Sequence, residues 1–129
     1  MFTLQQIKDA HSKVKSGADF PAYIREIKQL GVTGYQTFVT DGHTEYTGGD
    51  NYRVSSDAKY AALAIAPVSN KATFEGYLKA HQQGQSDYPA FCQQSADTGV
   101  EKWVVNTDTM TCTYYDLAGN VMLEEKIPG

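Results

Sequence analysis

Three histidines, two cysteines and a scatter of carboxylates are the side chains of this chain with chemistry to offer. His11 and His81 each fall on the apolar stripe of a helical pattern, beside Leu4, Ile7 and Val14 in one case and Phe74, Tyr77 and Leu78 in the other. Imidazole changes charge most readily near neutral pH, so the pair could flank a shared groove as ligand contacts, or serve as general acid and base. The plainer alternative is one histidine per helix pair, bonded to a loop carbonyl and holding the turn. Cys92 lies on an apolar helix face and Cys112 in a β-rich segment. Both read as small core residues, since a nucleophilic thiol needs a depressed pKa. His43 follows Asp41-Gly42 and is expected in solvent.

The remaining constellations are weaker. Histidines at 11, 43 and 81 share no ligand spacing and no Cys-x-x-Cys exists, so no metal site is expected. Glu124 and Glu125 are neighbours on a strand, which points them to opposite faces and denies them an acid/base pairing. Gly48-Gly49-Asp50 lacks the Lys-Ser/Thr of a phosphate loop, and no cofactor is implied. Nine tyrosines remain, with Tyr46 and Tyr114 at matching strand positions. Tyrosine supplies apolar area with a hydroxyl, suited to a binding face or to covering a half-buried sheet.

The elements that must position these residues come in two similar sets. Asp19-Phe20-Pro21-Ala22-Tyr23, followed by Gly31-Val32 and Tyr35, is echoed 68 residues later by Asp87-Tyr88-Pro89-Ala90-Phe91, Gly99-Val100 and Trp103. Tyr46 meets Tyr114 at the same spacing, and His11 meets His81 after removal of two loop residues. Asn51 meets Asn120, and Pro67 meets Pro128, if the first copy carries an insertion near 49–58. The matches fall where elements start and stop, which is where backbone geometry restricts residue choice.

Thr3 is the expected N-cap of a first helix that ends at Ser16-Gly17-Ala18. Pro21 opens a second helix and Gly31 closes it. Tyr35–Thr40 and Thr44–Thr47 read as strands joined at the two-residue turn Asp41-Gly42, and Tyr60–Ala66 as a third, more buried strand after an irregular 52–58. The second half repeats the plan, with Pro89 and Gly99 bounding a helix and strands over Trp103–Asn106, Thr111–Tyr115 and Val121–Lys126. The expected fold is α+β: one domain over 1–129 made of two tandem helix-helix-strand-strand-strand repeats, about 1–68 and 69–129. A pseudo-twofold relates them, and an antiparallel sheet carries the helices on one face.

At 129 residues the chain can bury roughly two-thirds of its unfolded surface. The net charge is −4 and the basic residues are scattered, which disfavours nucleic acid, since phosphate contacts need a concentrated basic face. No apolar run approaches the ~20 residues needed to span a bilayer, and the first residues lack a signal peptide's basic and apolar segments. Two cysteines make no disulfide framework, so a reduced, cytoplasmic location is expected.

From Phe2-Thr3-Leu4-Gln5-Gln6-Ile7 through Asp19-Phe20-Pro21-Ala22-Tyr23 to Thr37-Phe38-Val39-Thr40-Asp41-Gly42-His43-Thr44, the chain resembles an uncharacterised bacterial family whose members carry the label "phage envelope protein". The resemblance covers essentially the whole chain. It implies a bacterial, prophage-associated protein of unknown function and supplies no catalytic residues. The leading expectation is a non-enzymatic binding module whose groove between the halves, lined by Tyr46, Tyr114, His11 and His81, takes a small molecule or peptide. An enzyme using His11 or His81 is the second reading, and a homo-oligomer or protein-interaction subunit built through strand edges is the third.

Overall fold

A computed structural model describes residues 2–14 and 19–127. The expected first-helix end at Ser16-Gly17-Ala18, and Pro128 of the second Pro–Pro match, lie outside the described residues. The elements run α1 (Leu4–His11), α2 (Phe20–Leu30), β1 (Val32–Phe38), β2 (Thr44–Gly48), β3 (Arg53–Ser55), α3 (Lys71–Gln82), α4 (Tyr88–Asp97), β4 (Val100–Asn106), β5 (Thr111–Asp116) and β6 (Val121–Lys126). The strands form one antiparallel sheet in the order β3-β2-β1-β4-β5-β6. The fold class is α+β, as the sequence pattern leads one to expect.

Local chemistry explains the helix bounds. The Thr3 hydroxyl accepts from the Gln6 N–H at 3.2 Å while the Gln6 side chain accepts from the Thr3 N–H at 2.8 Å, satisfying two free donors of the first turn. The Asp87 carboxylate accepts from the Ala90 N–H at 2.8 Å ahead of α4. Pro21 and Pro89 sit in the first turns, where a missing N–H costs nothing.

The helices cover one face of the sheet. Tyr35, Thr37, Trp103, Val105, Cys112 and Tyr114 point into that face and are buried. Phe74 of α3 lies 5.0 Å from the Tyr114 ring, and Phe91 of α4 lies 5.8 Å from Trp103. Ile24 and Ile27 of α2 are fully buried. The residues between them on the strands, such as Gln36, Phe38, Lys102, Val104, Thr113 and Tyr115, alternate to the other face, which no helix among the described residues covers and where each stays partly in solvent.

The register of the ladders follows the sequence echo. At the centre of the sheet Gln36 lies opposite Val104, and the pairs run from Gly34–Asn106 to Phe38–Lys102. Gln36 and Val104 are themselves 68 residues apart. One backbone bond extends this ladder at each end, Val39 N–H to Glu101 O at 2.9 Å and Thr107 N–H to Thr33 O at 3.1 Å. In the flanking ladders Tyr35 faces Tyr46 and Trp103 faces Tyr114, and the register slips between Val32 and Gly34 in one and between Val100 and Lys102 in the other. Left-handed backbone recurs at the same spacing, with φ of +108° at Gly31 and +91° at Gly99, then +76° at Gly42 and +53° at Met110.

Three local expectations are corrected. Residues 60–66 are not a strand, and β3 occupies residues 53–55 within the segment expected to be irregular. The 60–66 stretch spends its backbone groups singly, on different elements: Leu63 N–H donates to Thr40 O and Ala66 N–H to Ala96 O. Its alanines offer little side chain to a pleated surface. The turn after β1 is also longer than two residues, since Phe38 N–H pairs with His43 O and Gly42 N–H with Phe38 O.

The two helix-closing glycines differ in what surrounds them. A Cβ at Gly31 would meet nothing nearer than Phe2 at 3.8 Å, whereas one at Gly99 would sit 2.7 Å from the Ser69 Cα and 3.0 Å from the Val68 carbonyl oxygen. Gly31→Ala is expected to cost about 1 kcal/mol, the penalty of a left-handed alanine. Gly99→Ala is expected to cost at least about 2 kcal/mol, because the 68–69 backbone must also shift. Urea midpoints with unchanged slope measure both, and equal losses would contradict the packing described.

Candidate functional site

The four residues expected to line a groove, His11, His81, Tyr46 and Tyr114, all lie on the helix side. His11 is exposed, with its ring edge-on to Tyr23 at 5.2 Å. Packing around it, and then the Lys59 charge, lower its pKa. His81 stacks on Phe91 at 4.5 Å, and its Nδ1 lies 3.1 Å from the Ser86 carbonyl oxygen and 3.2 Å from its hydroxyl. That histidine ties the α3–α4 turn together. Tyr46 is half-buried beside Tyr35 at 5.5 Å, and Tyr114 is buried between Phe74 and Trp103. Each histidine thus packs against the second helix of its own half. Burial pushes the Cys92 thiol up, and the Cys112 thiol up to about 12, so neither is a thiolate at neutral pH.

The helix-free face carries a different set. Lys102 lies over two rings, 5.7 Å from the centroids of Phe38 and Tyr115, and its Nζ donates to the Gln36 Oε1 at 2.9 Å. Phe38 stacks in turn on His43 at 4.6 Å, with the ring planes 6° apart. His43, expected in solvent, is instead held on three sides. Its Nδ1 is 2.5 Å from the Asp41 Oδ1, which also accepts from the His43 backbone N–H at 3.0 Å, and its Nε2 is 3.7 Å from the Glu45 Oε2. The bonds from the His43 ring and backbone hold the Asp41 carboxyl below its usual range.

Beside this cluster, at the β1–β4 junction, is a shallow depression of about 300 Å³. Thr33, Gly34, Gln36, Glu45, Thr47 and Val104 line it together with Asn106 and Asp108. Gly34 leaves the floor bare, and no side chain can be added there cheaply, since a Cβ would sit 2.7 Å from the Val105 carbonyl oxygen. The residue 68 positions on is Lys102, and those 68 from Thr47 and Asn106 are Tyr115 and Phe38. One end of the central ladder is therefore filled by Lys102 between two rings, and the matching end is open. Glu45 and Asp108 bring two carboxylates to the opening, and among the described residues neither Lys nor Arg lines it. Asp108 faces Lys28 at 3.8 Å, both well exposed. Asn106 accepts from the Asp108 and Thr109 N–H groups through its Oδ1, and Gln36 accepts from Lys102, so the two amides have their NH₂ groups to offer.

Sequence reasoning missed this face, although a signal was present. Gly34 and Gln36, Glu45 and Thr47, and Lys102, Val104 and Asn106 all alternate with buried or half-buried residues at the period of a strand. Among the described residues no group of three or more His, Cys, Asp or Glu side chains is placed to hold a metal ion, and no helix is long and apolar enough to cross a membrane.

Residues 8–126 match a family described as "Protein of unknown function (DUF1398)". No curated protein matches the chain.

The Asp41–His43 contact has a consequence for acid stability. Because the folded-state pKa of Asp41 lies below the unfolded value, its contribution is present above the unfolded pKa and is lost as pH falls through the folded one. Asp41→Asn is expected to destabilise the protein at pH 7 by about 1 kcal/mol, discounted for solvent contact. The gap between variant and parent closes below about pH 4. Thermal melts across pH 2.5–7 check this, and a gap that widens on acidification would refute it.

Proposed function

The chain belongs to the DUF1398 family of proteins of unknown function, and on that premise we propose a small, non-enzymatic binding module whose site is the depression on the helix-free face. The ligand class is a small organic cation, an amine with a short apolar body. The observation that carries this reading is the presence of Glu45 and Asp108 around a bare Gly34 floor at the β1–β4 junction, with Val104 as the apolar contact and, among the described residues, no lining Lys or Arg. Carboxylates in such a hollow supply charge-assisted hydrogen bonds to an ammonium group, and the Asn106 and Gln36 amides can orient hydroxyl or carbonyl groups beside it.

The site belongs to a duplicated architecture in this reading. The halves, about 1–68 and 69–129, are copies related by a pseudo-twofold through the Gln36–Val104 pair, joined in one domain. The common spacing of registers, slips and left-handed residues supports it. The depression is then the place where the copies diverged, glycine in one and lysine in the other. A cytoplasmic, prophage-associated setting in a bacterium completes the proposal, supported by the "phage envelope" resemblance and by the two free, buried cysteines.

The test is a thermal-shift series at constant ionic strength with 1,4-diaminobutane, butane-1,4-diol and succinate. A binder of the native state raises the melting temperature. The diamine is expected to stabilise and the diol and dianion are not. Glu45→Gln is expected to weaken the diamine about tenfold, the loss of one charge-assisted contact. Asp97→Asn, an exposed carboxylate on α4, should change nothing. Equal responses in the parent and Glu45→Gln would remove the site.

A further inference from the structure

We infer that His43 gates the depression by competing for the Glu45 carboxylate, so that amine binding there is switched on as the imidazole loses its proton. This rests on the site proposed above and adds its control. Asp41 takes a hydrogen bond from the His43 backbone N–H and sits 2.5 Å from Nδ1, which places a proton on that nitrogen. Phe38, stacked on the ring, limits its rotation. The other nitrogen, Nε2, is left facing the Glu45 Oε2 at 3.7 Å.

That arrangement has two states. In the imidazolium both nitrogens are donors, Nε2–H points at Glu45, and the carboxylate is engaged. In the neutral ring Nε2 presents a lone pair to a carboxylate oxygen, and two acceptors face each other. Glu45 is then released, and it is a lining residue of the depression. An ammonium group entering the depression supplies the donor that the neutral histidine no longer provides. The imidazolium charge also opposes a cation directly. The other ionisable groups near the cluster are Asp41, Lys102 on β4 through Phe38, Arg53 on β3 beyond Thr47, and Lys59 and Tyr60, whose backbone N–H groups bond the Asp41 carbonyl.

Two measurements on the full chain test this separately. Carbon and nitrogen NMR of the ligand-free protein follows the Glu45 side-chain carboxyl and the His43 ring from pH 4 to 8.5. A Glu45 inflection shared with the His43 ring step is expected, in addition to Glu45's own acid step. Its absence overturns the gate whether or not any amine binds. Calorimetry with 1,4-diaminobutane at pH 5.0 and 8.0 then reads the consequence. Affinity is expected to rise about tenfold in the parent, the size of one nearby charge in a mostly aqueous surround. His43→Gln, checked for an unchanged melt, should hold one affinity at both pH values. A rise that persists in His43→Gln overturns the gate. A shared inflection without any diamine heat leaves the histidine–glutamate exchange standing and refutes the ligand class instead.

Discussion

The pairing of β1 with β4 is the constraint on which the rest of this molecule depends. Each half contributes a three-stranded meander with two helices, and the ladder from Gly34–Asn106 to Phe38–Lys102 welds them into one sheet. Side chains alternate with a period of two, so a slip of one residue at this joint would turn one strand over relative to the other. Either Tyr35 would go to solvent with Gln36 driven under the helices, or Trp103 would do so with Lys102 driven under. The aromatic packing of Phe74 and Phe91 against the sheet leaves no room for that exchange. Thr107, fully buried, fastens the same joint by donating its hydroxyl to the carbonyls of Val32 and Thr33 at 2.8 and 2.9 Å.

The same alternation divides the labour between the two faces. On the helix side Tyr35, Tyr114, Cys92 and Cys112 are packed, and burial raises the pKa of each. On the helix-free side Glu45 and Lys102 keep contact with water. There one end of the ladder is closed by a lysine between two rings and the other lies open over a glycine. Glu45 belongs both to that opening and to the histidine cluster next to it, which is why a single carboxylate can report on both.

Much of the fold was legible in the chain because its signals are local. A threonine three residues before a glutamine, prolines in first turns and glycines after last turns mark helix ends through groups only a few residues apart. Residues 60–66 misled because an irregular segment whose backbone groups bond singly to different elements can share the composition of a weak strand. The site was harder. Asp41, His43 and Glu45 do alternate, but reading Asp41-Gly42 as the whole turn put His43 outside the strand pattern, and the longer turn brings it back against Phe38. The depression needs Gly34 beside Asn106, a contact across more than seventy residues that no local pattern encodes. The contact of His81 with Ser86 is local, since the two lie only five residues apart.

The measurement that bears most directly on this account is a backbone amide NMR titration with 1,4-diaminobutane at pH 8. The account predicts that shifts concentrate on Gly34, Gln36, Glu45, Thr47, Val104 and Asn106, on both sides of the β1–β4 joint, with the helix side silent. Shifts gathered instead around His11, Tyr23, His81 and Phe91, or spread evenly over the acidic surface, would contradict it.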